Sequence, residues 1–250
     1  MIETTRKDSV AVLRMEHGRA NAMDVELSRD LRAALHQAMG AGARAIVITG
    51  SGSIFSAGVD LLRVLGSGRD YLEEFLAEFS GGLRELFATP LPVVAAINGH
   101  AIAGGCILAC ACDYRLMARG PGRIGVPELR VGVPFPLVPA GIAVHALGVP
   151  RAEKAMLVGN VVEAGHAVEQ GFADELVEPE RLMERAIEVA RAMAGTPAAS
   201  YRRTKLGLRR PALETWDRLA AAHDRETLEA WDSPTVREAI RAFVEKTLKK

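Results

Sequence analysis

Val93-Val94-Ala95-Ala96-Ile97-Asn98-Gly99-His100-Ala101-Ile102-Ala103-Gly104-Gly105-Cys106 is the stretch on which the fold turns. Its first five residues are apolar without polar alternation, the pattern of a strand buried on both faces. A small-residue turn follows, and Gly104–Gly105 opens a helix. The same design occurs upstream, where Ile46-Val47-Ile48 runs on into Ser56-Ala57-Gly58-Val59-Asp60-Leu61. The first N–H groups of a helix have no intrahelical partner, and the macrodipole adds partial positive charge there. Glycine lets another group approach that backbone closely. Two such turns brought together would make a site for a developing oxyanion.

Outward from this pair the alternation of strand and helix continues. Val10 to Met15 reads as a strand. Asn21 reads as an N-cap with Asp24 three residues on, ahead of a helix whose apolar stripe is Leu27, Leu31, Leu35 and Met39. Another helix is predicted over Tyr71 to Phe87. Repeated strand–helix alternation predicts an α/β chain with largely parallel pairing. From about Arg151 onward the chain reads as mostly helical, with turns at Gly159, Gly171 and Gly195–Pro197 and one strand over Phe172 to Val177. Trp216, Leu219, His223, Thr227 and Trp231 share one face of a terminal helix. We therefore expect a core over 1–195 and a helical region over 196–250, packed on that core or on a neighbouring subunit.

Composition narrows the function classes. The chain has 250 residues, 49% hydrophobic and 25% charged, with 31 basic against 31 acidic side chains. That is ordinary for a folded domain and leaves no basic field to attract nucleic acid or anionic lipid. Met1 to Met15 carries charge throughout, and the uncharged stretch Val131 to Pro150 is broken by Pro134, Pro136 and Pro139. Neither a secretory signal nor a spanning helix is expected. The three cysteines, Cys106, Cys110 and Cys112, suit a reducing cytoplasm and read as buried thiols rather than metal ligands. Gly120 to Gly125 spells G-x-G-x-x-G, but Pro127 stands where the helix of a dinucleotide site should begin. No P-loop and no G-x-S-x-G elbow occurs.

Several pieces, in order, resemble the crotonase (enoyl-CoA hydratase/isomerase) superfamily. They are Arg19-Ala20-Asn21-Ala22, Phe55-Ser56-Ala57-Gly58-Val59-Asp60-Leu61, Ile97-Asn98-Gly99-His100-Ala101 and Ala103-Gly104-Gly105-Cys106. Cys112-Asp113-Tyr114-Arg115, Pro127-Glu128-Leu129 and the stretch from Leu157-Val158-Gly159 to Gly171-Phe172-Ala173 continue the series. The resemblance covers roughly residues 5 to 195. It implies a spiral of repeated ββα units, an acyl-CoA substrate, no metal and no permanently bound cofactor, and assembly into homotrimers or dimers of trimers. It further implies that the N–H groups of Val59 and Gly104 form the oxyanion hole. Coenzyme A, as part of the substrate, would lie along Ala20, Ala22, Ala57, Gly58, Asp60 and Leu61, with Arg19 near its phosphates.

A base is needed as well. Family hydratases place one glutamate three residues after the oxyanion glycine and a second in a later Pro-Glu or Asn-Glu element. Here the first position is Ile107 and the second is Glu128. One carboxylate can still take a proton from one carbon and return it to another. The pattern thus resembles the family's single-glutamate Δ3,Δ2-enoyl-CoA isomerases, with Glu128 as acid and base. The apolar run Val131 to Pro136 would supply a dry wall that raises the Glu128 pKa. Leu61, Leu62, Val64, Leu65 and Phe79 are candidates for an acyl tunnel, while His100 and His145 read as structural. The rival readings are a divergent hydratase, decarboxylase or thioester hydrolase on the same scaffold, and a catalytically idle acyl-CoA-binding relative.

Overall fold

A computed structural model describes residues 1–247. The chain opens with an antiparallel hairpin, β1 (Ile2–Lys7) and β2 (Val10–Met15). β1 is an exposed edge strand of charged and threonine residues, so it carried no hydrophobic signal. α1 (Val25–Gly40) follows. Its N-cap is Asp24, whose carboxylate accepts from Leu27 N–H at 2.8 Å, and not Asn21 as the sequence suggested. Asn21 has a left-handed backbone, φ 47°, which a helix start cannot use. Its amide is taken up elsewhere, as described below.

Three successive units then repeat one plan. β3 (Ala45–Thr49), β4 (Ile54–Ser56), α2 (Leu61–Gly66) and α3 (Arg69–Ala88) form the first. β5 (Val93–Ile97), β6 (His100–Ile102) and α4 (Gly104–Ala111) form the second. The third is β7 (Tyr114–Ala118), β8 (Arg123–Gly125), α5 (Glu128–Val131) and α6 (Leu137–Leu147). The long uncharged stretch therefore holds a helix of eleven residues, with Pro139 in its first turn. The chain continues through α7 (Val149–Val158), β9 (Val161–Glu163), β10 (Glu175–Val177) and α8 (Leu182–Ala194). Two helices, α9 (Ala198–Asp232) and α10 (Pro234–Thr247), close it. The predicted strand over Phe172 to Val177 shrinks to its last three residues. Phe172 and Ala173 instead turn back to donate to the Ala167 carbonyl.

The first strand of each unit enters a six-stranded sheet in the order β1-β2-β3-β5-β7-β10, and the second enters a four-stranded sheet, β4-β6-β8-β9. β2, β3, β5, β7 and β10 are parallel. This is the expected α/β spiral of ββα units with a helical C-terminal region. Alternate residues of the large sheet serve two cores. Val10, Val12, Val47, Val94 and Leu116 face α8, while Leu13, Met15, Ile46, Ile48 and Ile97 face the main core. Trp216, Leu228, Trp231, Ile240 and Val244 of the last two helices belong to that same main core.

Candidate functional site

The two turns meet. A Cβ placed on Gly105 would lie 2.3 Å from the Ser56 carbonyl oxygen, so α4 can start against β4 only with glycine there. At Gly58, φ 84°, the same atom would lie 2.7 Å from Ile102 O and 3.1 Å from Gly104 N. The first turn thus sits directly on the start of α4. Asn21 holds this arrangement: its side-chain amide donates to Ile54 O at 3.3 Å and Phe55 O at 3.2 Å. Its side-chain oxygen accepts from His17 N–H, and its carbonyl from the Ser56 hydroxyl at 2.7 Å. A buried polar residue fully engaged in this way fixes the path of two loops.

Backbone direction at the turns follows from their pairing. Met23 N–H donates to Gly58 O at 2.7 Å, and Met23 O accepts from Asp60 N–H at 2.9 Å. In such a parallel bridge the intervening residue points its own N–H the other way, so the Val59 N–H faces away from Met23. Ala103 adopts φ 51°, ψ −123°, an uncommon conformation for a residue with a Cβ. It caps α4 without any side-chain hydrogen bond, leaving the Gly104 N–H at the helix start.

Val59, Gly104 and Glu128 line one pocket. Ala57 and Leu61 share it, together with Phe79, Ile102, Ile107, Val131, Val133 and Phe135. Trp231 and Phe243, from α9 and α10, complete the wall. Among the described residues of this wall, Glu128 is the one that ionises. Its residue is half-buried overall, but Oε2 is fully enclosed and has no hydrogen-bond partner in the protein. Burial pushes its pKa up to about 8, against a smaller opposing pull from its own backbone N–H. The run after Glu128 supplies much of the dry wall through Val131, Val133, Phe135 and Pro136.

Other sequence candidates fall differently. Ala20, Ala22, Gly58 and Asp60 are not on the pocket wall; Ala57 is both exposed and pocket-lining, and its N–H donates to Ala20 O at 3.0 Å. Arg19 is exposed and pairs with no acid among the described residues. Asp60 caps α2 through Arg63 N–H. Of the tunnel candidates, Leu61 and Phe79 line the pocket; Val64 is core, Leu65 lies off the wall and Leu62 is exposed. Neither His100 nor His145 reaches it; His145 packs edge-on against Phe87. The sequence did not reveal the place of Ile102 or Phe243, and it put Trp231 on a helix face without a destination. Only folding brings these residues to Glu128. No cluster of three His, Cys, Asp or Glu suited to a metal occurs among the described residues, and the three cysteines are free and buried.

A ββα spiral with its pocket at two converging glycine turns is the crotonase fold. The chain belongs to the enoyl-CoA hydratase/isomerase family, whose model matches residues 5–250. A putative enoyl-CoA hydratase of Thermus thermophilus is 34% identical, with 98% of each chain covered. The mitochondrial enoyl-CoA delta isomerase 1 of Mus musculus is 26% identical over the whole of this chain and 88% of its own. The crystal structure of human mitochondrial delta3-delta2-enoyl-CoA isomerase superposes with a TM-score of 0.94, covering 99% of this chain and 98% of that one. At 24% identity, that likeness speaks to the fold alone. The chain is thus an enzyme of the hydratase/isomerase family, and none of its described helices is long and apolar enough to cross a membrane.

Proposed function

We propose that the protein is a Δ3,Δ2-enoyl-CoA isomerase in which Glu128 is the sole acid and base. The observation that carries this reading is the pocket's inventory of ionisable groups: Glu128, with Ile107 where a second glutamate would stand in a hydratase. The Glu128 carboxylate takes a proton from C2 of a 3-enoyl thioester. The electron pair moves onto the thioester oxygen, held between the N–H groups of Val59 and Gly104. As it returns, the double bond forms between C2 and C3, the former C3–C4 double bond opens, and C4 recovers the proton from Glu128. No water enters and none leaves, which suits an apolar wall. Loss of one oxyanion donor costs about 3–4 kcal/mol of transition-state stabilisation, and the proton shuttle contributes about 10²–10⁴-fold.

Coenzyme A would run along Ala20, Ala22, Ala57, Gly58, Asp60 and Leu61, with Arg19, exposed and paired with no acid among the described residues, available for a phosphate. The same reading makes 1–195 the acyl-CoA-binding core, places the enzyme in cytoplasmic fatty acid metabolism and expects a homotrimer or dimer of trimers. Hydration is the second reading, favoured by the hydratase name of the Thermus thermophilus relative. Supplying 3-enoyl-CoA and 2-enoyl-CoA separately decides between them. Isomerisation of the first without hydration of the second is expected; hydration of the second without isomerisation of the first would overturn the proposal.

A further inference from the structure

α2 is only six residues long, ends on Gly66 and is followed two residues later by Gly68, so nothing in its own length fixes its direction. Yet it continues directly from Val59, whose N–H must be held to within a few tenths of an ångström to serve a transition state. What fixes it comes from outside. The Arg63 guanidinium reaches from α2 to the start of α1. There it donates to Asp24 Oδ2 at 3.1 Å and, through both terminal nitrogens, to the Glu26 carboxylate at 2.6 Å each. It also lies over the Tyr71 ring, 5.0 Å from its centre.

The far ends of these contacts are firm. Asp24 is buried, caps α1 and also bonds His17 Nε2 at 2.7 Å. Asp24 directly follows Met23, the residue that pairs with Gly58 and Asp60 on either side of Val59. One residue and four residues beyond Val59, respectively, Asp60 and Arg63 thus tie the same turn to the same segment, the first through backbone and the second through side chain. At the other end of α2, Arg237 of α10 donates to Leu65 O and Ser67 O.

We infer that Arg63 is a positioning residue: its fork onto Asp24 and Glu26 sets the orientation of the Val59 N–H, and so the strength of the oxyanion hole, without touching substrate. A bidentate guanidinium–carboxylate pair defines an angle as well as a distance, which a lysine cannot do. With side chains about a third to half exposed, 37% at Arg63 and 52% at Glu26, the pair itself contributes little to stability. Its consequence lies in alignment.

The inference rests on the assignment of Val59 to the oxyanion hole, and the test separates the two. Butanoyl-CoA labelled with carbon-13 at the thioester carbon is bound to the full chain, and its carbonyl stretch is read by infrared difference spectroscopy. A hydrogen-bonded carbonyl in the wild-type enzyme shifts to lower wavenumber. Arg63→Ala should lose much of that shift and lower kcat about tenfold with a smaller change in KM; Arg63→Lys should restore little of either. Glu26→Gln, which leaves the Asp24 cap intact, should move both in the same direction and serves if Arg63→Ala does not fold. A normal shift and normal kcat in folded Arg63→Ala or Glu26→Gln overturns the role of Arg63. No shift in the wild-type enzyme removes the oxyanion assignment itself, and this inference with it.

Discussion

In the proposed isomerisation a single carboxyl, Glu128, is the base, and its buried surroundings suit that role. With its pKa raised to about 8 by burial, the group accepts protons more strongly than an exposed glutamate. With the carboxylate as the active form in this proposal, kcat/KM for isomerisation should climb as pH rises through about 8 in the free enzyme and level off above it. A profile flat from pH 6 to 9 would remove Glu128 from the role. The same burial costs stability, and the sign is fixed. Below the ordinary glutamate value of 4.5 the group is protonated whether the chain is folded or not, and no difference arises. Between 4.5 and about 8 the unfolded chain loses its proton first, so folding becomes progressively less favourable. Glu128→Gln should therefore abolish isomerisation yet raise the melting temperature at pH 8 by an amount that vanishes near pH 4. The gain is of the order of a few kcal/mol at most. Glu128 itself was legible in sequence, through the Pro127-Glu128 element and the apolar run behind it. Asn21 was not, because a helix cap and a loop clamp call for the same short polar residue; only its left-handed backbone separates them.

Among the elements, those buried on both faces were easiest to read. β5 matches its apolar run residue for residue, and β3 extends the Ile46-Val47-Ile48 run by one residue at each end, because parallel central strands are buried on both faces. β4, β6, β8 and β9 have three residues each, too short for any period to show, and the small sheet they build was invisible. The docking of α9 was equally hidden, since it depends on charges far apart in sequence. Lys205 Nζ donates to Asp113 Oδ2 at 2.6 Å, and Arg209 Nη2 pairs with Asp113 Oδ1 at 2.8 Å. Lys205 and Arg209 are buried and Asp113 largely so, and burial pushes the Lys205 pKa down to about 8 even with the acid beside it. Lys205 also donates to Leu91 O, and Arg209 bonds the Phe87 carbonyl while stacking on that ring. α9 is thereby pinned at the entry to β5. Asp113→Asn keeps the shape but leaves two buried cations without their counter-charge. A loss of about 3–5 kcal/mol is expected, seen as a fall in melting temperature of roughly 10 °C. A fall of a degree or less would show that packing alone docks the helix.

For the molecule as a whole, the question is why a pocket begun by the ββα spiral is finished by the last helices. The spiral supplies Val59, Gly104 and Glu128 but leaves one side of the pocket to be closed by Trp231 and Phe243, the side on which the proposed reaction would seat the acyl chain. α9 runs back along α3, joined to it by Arg84–Asp217 and Arg69–Asp232, so its C-terminal end arrives at the start of α3, just past α2. There Trp231 buries its ring and donates its indole N–H to Pro134 O at 3.0 Å, six residues past Glu128. The chain turns at Ser233, and Arg237 fastens α10 to α2. This side of the pocket is thus bounded by a rigid aromatic side chain with one hydrogen bond to hold its orientation. Such a wall has two separable effects. Trp231→Ala should cost about 3–5 kcal/mol of stability, because a large buried ring leaves a cavity. It should also admit tails that the wild-type pocket excludes. Measured over a series of 3-enoyl-CoA substrates of increasing length, kcat/KM should shift toward the longer members in Trp231→Ala. Trp231→Phe, which keeps most of the ring and loses only the bond to Pro134, should shift it less. If length preference stays where it was while stability falls, the C-terminal helices are only a cover, and the limit on the acyl chain lies within the spiral, at Phe79 or Phe135.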